Sequence, residues 1–412
     1  MQFKPRDYQE TLSSKGAKVL SKHRIVYYSI EVRCGKTFIS LMTCQKMNAK
    51  QVLFVTKKKA ISSIQNDYNT LSPKYSIDII NFESLHKLTH NNYDIVIVDE
   101  AHSISAYPKA SKRCKDLKKI VGDKYLILMS GTPTPESFSQ IFHQYAISNY
   151  TPFIEKSFYK WAKNYVNVTT RKINGYDVND YSKANDNLIT QVISKHVVSF
   201  TQAQAGFKSK VNEHILKVQM KPITYNLVKK IEKDFVFVGA NGGVILADTP
   251  VKLLQKVHQL FSGTVKLEDG KAISLDSSKA DFIKKRFKGI KIGIFYKYKQ
   301  ELKLLQQVYG NDLTTDLVEF DATDKNIALQ IVSGREGISL KNAANLVYFN
   351  IDYSATSYWQ SRDRLTTKER MVNDVYWVFA KNGIEEQIYK KVLQKRSFTT
   401  KHYLKGYGKN NK

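Results

Sequence analysis

At 412 residues the chain is too long for one typical core, so two domains of roughly 150–200 residues are the starting expectation. Hydrophobic residues at 42% and aromatics at 12% exclude a disordered chain, and no run of about 18 apolar residues is present to cross a membrane. Lys and Arg number 65 against 37 Asp and Glu, a formal charge of +28 that points to a polyanion, most often nucleic acid. Charge alone does not choose between DNA and RNA. Cys34, Cys44 and Cys114 form neither a metal-ligand spacing nor an even disulfide set. The opening Met1-Gln-Phe-Lys-Pro-Arg6 lacks the apolar core of a signal peptide, so a reducing cytoplasm is the expected setting.

Taken in order, the first 145 residues alternate strand-like apolar runs (25–30, 51–56, 77–80, 94–98 and 125–129) with polar, helix-compatible segments. That alternation predicts βαβ units and a parallel sheet. The first run enters Glu31-Val-Arg-Cys-Gly-Lys-Thr37 and then a helical stretch over 38–48. A strand, a tight loop with Gly-Lys-Thr and a helix are the parts of a phosphate-binding loop. Backbone N–H groups of Arg33, Cys34 and Gly35 would cradle phosphate, Lys36 would reach the β- and γ-phosphates, and Thr37 would ligate Mg²⁺. Ile30 stands where the full pattern has its first Gly, so Gly-Lys-Thr alone is a weak signal.

The run in Asp94-Ile-Val-Ile-Val-Asp-Glu-Ala-His102 ends abruptly in two carboxylates. Its four apolar residues read as a strand buried on both faces, and carboxylates at its carboxyl end would enter the ligand crevice of an α/β fold. Asp99 would then hold Mg²⁺, and Glu100 would orient the water that attacks a nucleotide γ-phosphate. A solvated acidic turn is the plainer alternative.

Residues 148–210 lose the alternation, with Phe158-Tyr-Lys-Trp-Ala-Lys-Asn-Tyr165 and Asn174-Gly-Tyr-Asp-Val-Asn-Asp180 suggesting a linker and partly helical insertion. The interleaved aromatics would pack as core or stack on unpaired bases. From 211 a second α/β pattern builds, with strands expected at 290–296, 317–320, 327–332, 344–351 and 375–380. A hairpin is expected around Asn241-Gly-Gly243 and a helix over 250–261. The domain reading is 1–147, an insertion 148–210, a second lobe 211–395 and a basic tail 396–412.

Asp99-Glu-Ala-His102 resembles the DEAH form of the second motif of superfamily-two helicases, and further matches follow in that family's order. Arg6-Asp-Tyr-Gln9 resembles the opening element whose Gln reads adenine, which places Arg6 and Gln9 at the nucleotide. Val55-Thr-Lys-Lys58 and Asn81-Phe-Glu-Ser-Leu85 are similar to motifs Ia and Ib, implying nucleic-acid contacts at Thr56, Lys57, Lys58 and Ser84. Ser130-Gly-Thr-Pro133 resembles motif III, making Ser130 and Thr132 coupling residues and His102 their partner. In isolation it is also an ordinary strand-ending turn.

In the second half, Ile294-Phe-Tyr-Lys297 resembles motif IV, and Ser333-Gly-Arg-Glu-Gly-Ile-Ser-Leu340 resembles motif V. The resemblance assigns Lys297 and Ser333 to nucleic acid and Gly337 to the nucleotide. Gln360-Ser-Arg-Asp-Arg364 resembles motif VI and makes Gln360 and Arg364 catalytic. Thr367 replaces the second motif VI arginine, so either Arg364 acts alone or Lys368 or Arg370 substitutes.

Leu254-Gln-Lys-Val-His-Gln-Leu260 with Ser277-Ser-Lys279 looks like the Swi/Snf-related branch, in compact phage or bacterial form. The resemblance implies two RecA-like lobes with parallel sheets, ATP and Mg²⁺ between them, and movement along double-stranded or branched DNA. An RNA helicase and a non-hydrolysing DNA-binding module are the alternatives.

Overall fold

The computed structural model describes residues 4–173, 176–208, 210–334, 338–367 and 370–394. Gly337, Lys368 and the tail 396–412 lie outside these residues, as does the side chain of Ser333. The chain is α/β and divides between Phe207 and Lys208 into two units, each built on a six-stranded parallel sheet.

In the first unit β1 (Ile25–Ile30), β2 (Gln51–Thr56), β3 (Ser76–Asn81), β4 (Ile95–Val98) and β5 (Tyr125–Ser130) form the sheet. A later hairpin, β6 (Thr169–Ile173) with β7 (Tyr176–Asp180), precedes an edge strand, β8 (Val197–Phe200). The sheet order is β3-β2-β4-β5-β1-β8, and every pairing in it is parallel. Successive side chains of a strand face opposite ways. Ile25 and Tyr27 therefore join one core with Leu126, Leu128 and Phe142, while Val26 and Tyr28 join the other with Leu20, Ile39 and Met129.

Helices α1 (Asp7–His23), α2 (Lys36–Lys46), α3 (Ile61–Leu71) and α4 (Lys112–Val121) cover the two faces. The expected linker does more than connect. After α5 (Ile141–Tyr145), helix α6 (Phe158–Tyr165) buries Phe158 and Trp161 against Phe142 and Phe153, and α7 (Asp186–Ile193) leads into β8. Burial of these rings makes core packing, not base stacking, their role.

The second unit opens with β9 (Lys210–Val218) and α8 (Pro222–Asp234). The hairpin of β10 (Val236–Val238) and β11 (Val244–Leu246) follows, then α9 (Pro250–Phe261) and the pair β12 (Thr264–Lys266) and β13 (Ala272–Ser274). Next come α10 (Ser278–Arg286), β14 (Ile292–Tyr296), α11 (Lys299–Tyr309), β15 (Leu313–Thr314), α12 (Leu317–Ala322) and β16 (Asn326–Gln330). The unit continues through α13 (Ile331–Gly334), β17 (Asn345–Tyr348), α14 (Ala355–Arg362), β18 (Val372–Ala380) and α15 (Glu385–Leu393). Its main sheet runs β15-β16-β14-β17-β18-β9, again all parallel.

Two expected strands are corrected. Residues 317–320 are helical because Asp316 caps α12, its Oδ1 accepting from the Glu319 N–H at 2.8 Å, while Leu317 and Phe320 turn toward the core and Val318 is exposed. The run 327–332 leaves the sheet after Gln330 and turns into α13. Strand β9 lacks an apolar run, yet pairs with β18 from Lys210↔Val372 to Val218↔Ala380. Among the described residues no helix is long and apolar enough to cross a membrane.

Candidate nucleotide-binding site

The loop after β1 turns through two left-handed residues, Arg33 (φ 63°) and Gly35 (φ 77°), before α2 begins at Lys36. Gly35 is required here twice over: a side chain would be strained at this φ, and a Cβ would lie 2.2 Å from Nε2 of Gln9. Helix α2 starts without a side-chain cap, with Thr37 in its first turn. Lys36 Nζ donates to the carbonyls of Ile30 at 3.0 Å and Glu31 at 3.3 Å, which holds the ammonium over the loop.

Residues distant in sequence brace this loop where the pattern glycine is missing. Gln202 donates its N–H to Glu31 Oε2 at 2.7 Å and its side-chain amide to the Val32 carbonyl at 3.0 Å. Gln9 is buried, and its Oε1 accepts from the Arg6 N–H at 2.9 Å. The Arg6 side chain is exposed and donates to the Tyr8 hydroxyl. Cys34 is fully buried in the core beneath the loop, so its side chain is withdrawn from any ligand there.

The carboxylate pair sits at the ends of the central strands. Asp99 Oδ2 accepts from Thr56 Oγ1 at 2.9 Å, and Oδ1 accepts from the Glu100 N–H at 3.0 Å. Burial and the neighbouring charge of Glu100 push the Asp99 carboxyl up to about 7, against the opposing pull of Thr56 and Lys36. Glu100 is held in the left-handed region (φ 48°, ψ 51°), a conformation that costs a non-glycine residue about 1 kcal/mol or more. The turn aims its Oε2 to 3.2 Å from His102 Nδ1. The same ring nitrogen lies 3.0 Å from Ser130 Oγ, which also accepts from the Thr132 N–H at 3.1 Å. Lys36, Asp99, Glu100, His102, Ser130 and Thr132 thus gather at one end of the first unit's sheet.

Other expected contacts fall elsewhere. Thr56 is fully buried and committed to Asp99, so it positions a carboxylate and is not a nucleic-acid contact. Lys58 is exposed on the turn after β2, whereas Lys57 and Ser84 are half-buried. Lys297 is also withdrawn from the surface: Nζ donates to Asp352 Oδ1 at 2.6 Å and lies 3.7 Å over the Tyr353 ring. A cation with this partner and this burial is a structural tie in the second unit. It is not a free phosphate ligand.

Gln360 is buried on α14, and its carbonyl accepts from Arg364 Nε at 2.9 Å. Arg364 Nη1 donates to the Ile338 carbonyl at 3.2 Å, linking the motif V and motif VI segments. Arg370 is no substitute for a second catalytic arginine. It donates from Nη1 to the Ala343 carbonyl at 2.7 Å and from Nε to the Val372 carbonyl at 3.3 Å, and its third nitrogen meets the Ala344 carbonyl.

No protein-family model matches the sequence, and no curated protein matches it. Among solved structures, the chain is similar to the Sulfolobus solfataricus SWI2/SNF2 ATPase core in complex with dsDNA, at 15% identity and a TM-score of 0.44, covering 100% of this chain and 95% of that one.

Proposed function

We propose that this protein is a nucleic-acid-dependent ATP hydrolase, a motor that moves along or remodels duplex or branched DNA. The observation that carries the reading is the gathering of a phosphate-loop-like turn, a half-buried carboxylate pair and a His102–Ser130 link at one end of a parallel sheet. The donor set fits Mg·ATP. Thr37 and Asp99 offer the one or two oxygen ligands that Mg²⁺ takes from protein when phosphates and water complete its shell. Bound Mg²⁺ would supply positive charge at the β- and γ-phosphate oxygens.

The chain's own groups would do the rest. The loop N–H groups and Lys36 bind and orient phosphate, Glu100 orients water, and His102 holds Glu100. The motif VI resemblance makes Arg364 a further candidate cation. Grip on DNA would fall mainly on phosphates, in keeping with the charge of +28, and would weaken steeply with salt. The Swi/Snf-like stretches Leu254–Leu260 and Ser277–Lys279 favour duplex over RNA.

Steady-state ATP hydrolysis at low salt, alone and with duplex DNA, branched DNA, single-stranded DNA or RNA, tests the proposal. Stimulation by duplex or branched DNA supports it. Stimulation by RNA alone would make the protein an RNA-dependent ATPase, and salt-sensitive DNA binding without hydrolysis would leave a binding module.

A pH dependence follows from Asp99. Its carboxyl keeps a proton up to about 7, and Mg²⁺ needs the carboxylate, so binding must release that proton at lower pH. Affinity for Mg·ADP should therefore fall as pH drops from 7.5 to 5.5, approaching about tenfold per pH unit below the carboxyl's midpoint. Without Mg²⁺ the Asp99 share of the slope should vanish, leaving only that of the ADP phosphate. Calorimetric titrations in the two conditions measure both, and a flat Mg·ADP profile would remove Asp99 from the metal site.

A further inference from the structure

Helix α4 carries its charge against its own electrostatics. It buries Cys114, Leu117 and Val121, and Ser111 caps it, Oγ accepting from the Cys114 N–H at 3.3 Å. Lys112, Lys115, Lys118 and Lys119 are exposed, and among the described residues they form no ion pair and donate no side-chain hydrogen bond. A helix favours carboxylates in its first turn and cations in its last. Lys118 and Lys119 suit that rule, but α4 has no acid in its first turn and opens instead on Lys112, Arg113 and Lys115. Lys115 also stands three residues from Lys112 and Lys118 and four from Lys119, spacings at which like charges repel. Asp116, the carboxylate of this helix, is half-buried and forms no ion pair.

Solubility does not demand this arrangement, as α1 shows. Its exposed Lys15, Lys18 and Lys22 repeat the spacing of Lys112, Lys115 and Lys119, yet Asp7 and Glu10 lie in its first turn and Lys22 and His23 in its last. The buried stripe of α4 needs none of its lysines. A surface run that costs its own helix stability is the kind of local conflict that marks a functional face.

The surroundings of α4 indicate the partner. It packs beside the helical turn Phe82–Lys87, the stretch that resembles motif Ib. Phe82 and Leu85 share a core with Cys114 and Leu117. Arg113 pairs with Glu83, which cancels an exposed acid on that turn, and its guanidinium lies 5.6 Å over the Phe82 ring. Lys112, Lys115 and Lys119 stand opposite the buried stripe. They span about 10 Å along the helix, or about three phosphate steps of one DNA strand.

We propose that Lys112, Lys115 and Lys119, the outward face of α4, grip the phosphate backbone of duplex DNA beside the Phe82–Lys87 turn. The proposal names a surface for the DNA-dependent reading above and rests on it. Bound phosphates supply the negative charge that the helix start lacks, and the grip carries no sequence preference.

Anisotropy titrations of the full chain with a labelled duplex, without nucleotide and across a salt series, test this face. Replacing Lys112, Lys115 and Lys119 together by Gln should weaken binding about a hundredfold at about 0.1 M salt and lower the slope of log affinity against log salt by about 2–3. The set Lys15→Gln, Lys18→Gln and Lys22→Gln removes the same charge from α1, on the other face of the sheet, and should leave the slope within about 1 of wild type. Lys112→Glu combined with Lys115→Glu should also lose binding, while hydrogen exchange at the α4 amides slows because the helix start gains acids.

An unchanged affinity in the α4 variants would overturn the proposal, and equal weakening by the α1 set would reduce the effect to net charge. Binding lost together with faster α4 exchange would mean damage to the fold and would overturn it too. A wild type that hydrolyses ATP but binds no duplex ends the proposal and leaves the hydrolase reading. Duplex binding that depends on α4 in a protein without ATPase activity sustains the surface and ends the motor reading.

Discussion

Glu100→Gln is expected to bind Mg·ATP about as tightly as the wild type and to turn it over about a thousand-fold more slowly, within the usual range for losing a general base or water-orienting carboxylate. Such a fall corresponds to about 4 kcal/mol of lost transition-state stabilisation. Binding should survive because the phosphate loop and Lys36 are left in place, Lys36 being held by the Ile30 and Glu31 carbonyls. The amide oxygen of Gln can still accept from His102 Nδ1, which lies 3.2 Å from the present carboxylate. The left-handed backbone at position 100 and the N–H donated to Asp99 at 3.0 Å are also untouched by an isosteric change. What disappears is the negative charge proposed to orient and deprotonate water. Single-turnover phosphate release beside fluorescent-nucleotide binding measures the two effects apart. Turnover within about tenfold of wild type would remove Glu100 from that role, since even modest general-base contributions exceed that value.

The parts legible in the sequence are those written in local pattern. Strands β1, β2, β4 and β5 are buried on both faces, so each reads as a continuous apolar run that ends where the site begins. Helix α9 announces its start through the Thr249 cap and Pro250 at its first position. Pattern fails where a partner comes from far along the chain. Nothing near Lys297 reveals that Asp352 will claim its charge, and nothing near Thr56 reveals that its hydroxyl serves Asp99.

Tyr27 hides within the apolar run Ile25-Val-Tyr-Tyr-Ser-Ile30, and the hydrogen bond of its hydroxyl to Gln144 Oε1 at 2.6 Å is set by strand register, not by any motif. The bracing of Glu31 and Val32 by Gln202 bridges most of the first unit in the same way. Helix α12 escapes local pattern for a different reason. Three apolar residues in four suit a strand, and the Asp316 cap outweighs them.

Lys279→Met should give the largest loss of stability in the second unit, about 3–5 kcal/mol, because it strands a buried anion. Lys279 on α10 and Glu385 on α15 are both fully buried and meet at 2.5 Å. Lys279 Nζ also faces the Phe349 carbonyl at 3.4 Å, and Glu385 Oε1 receives only a long contact from the Ala380 N–H at 3.4 Å. Glu385 Oε2 is buried without a hydrogen-bond partner, so Lys279 carries nearly all the compensation for this charge.

Gly383 permits the approach, since a Cβ there would lie 2.1 Å from Glu385 Oε2. Met fills most of the volume of Lys, so the lost charge and not a cavity dominates the single variant. Adding Glu385→Leu removes the stranded carboxylate and should recover most of the loss, as apolar replacement of whole buried pairs generally does. In a Trp161→Phe background the remaining tryptophans, Trp359 and Trp377, both belong to the second unit and report its unfolding alone. The urea midpoint should fall by about 1–2 M in Lys279→Met and return toward the parent in the double variant. An unchanged midpoint in the single variant, or a double variant no more stable than the single, would mean that the pair does not hold α10 and α15 together by charge.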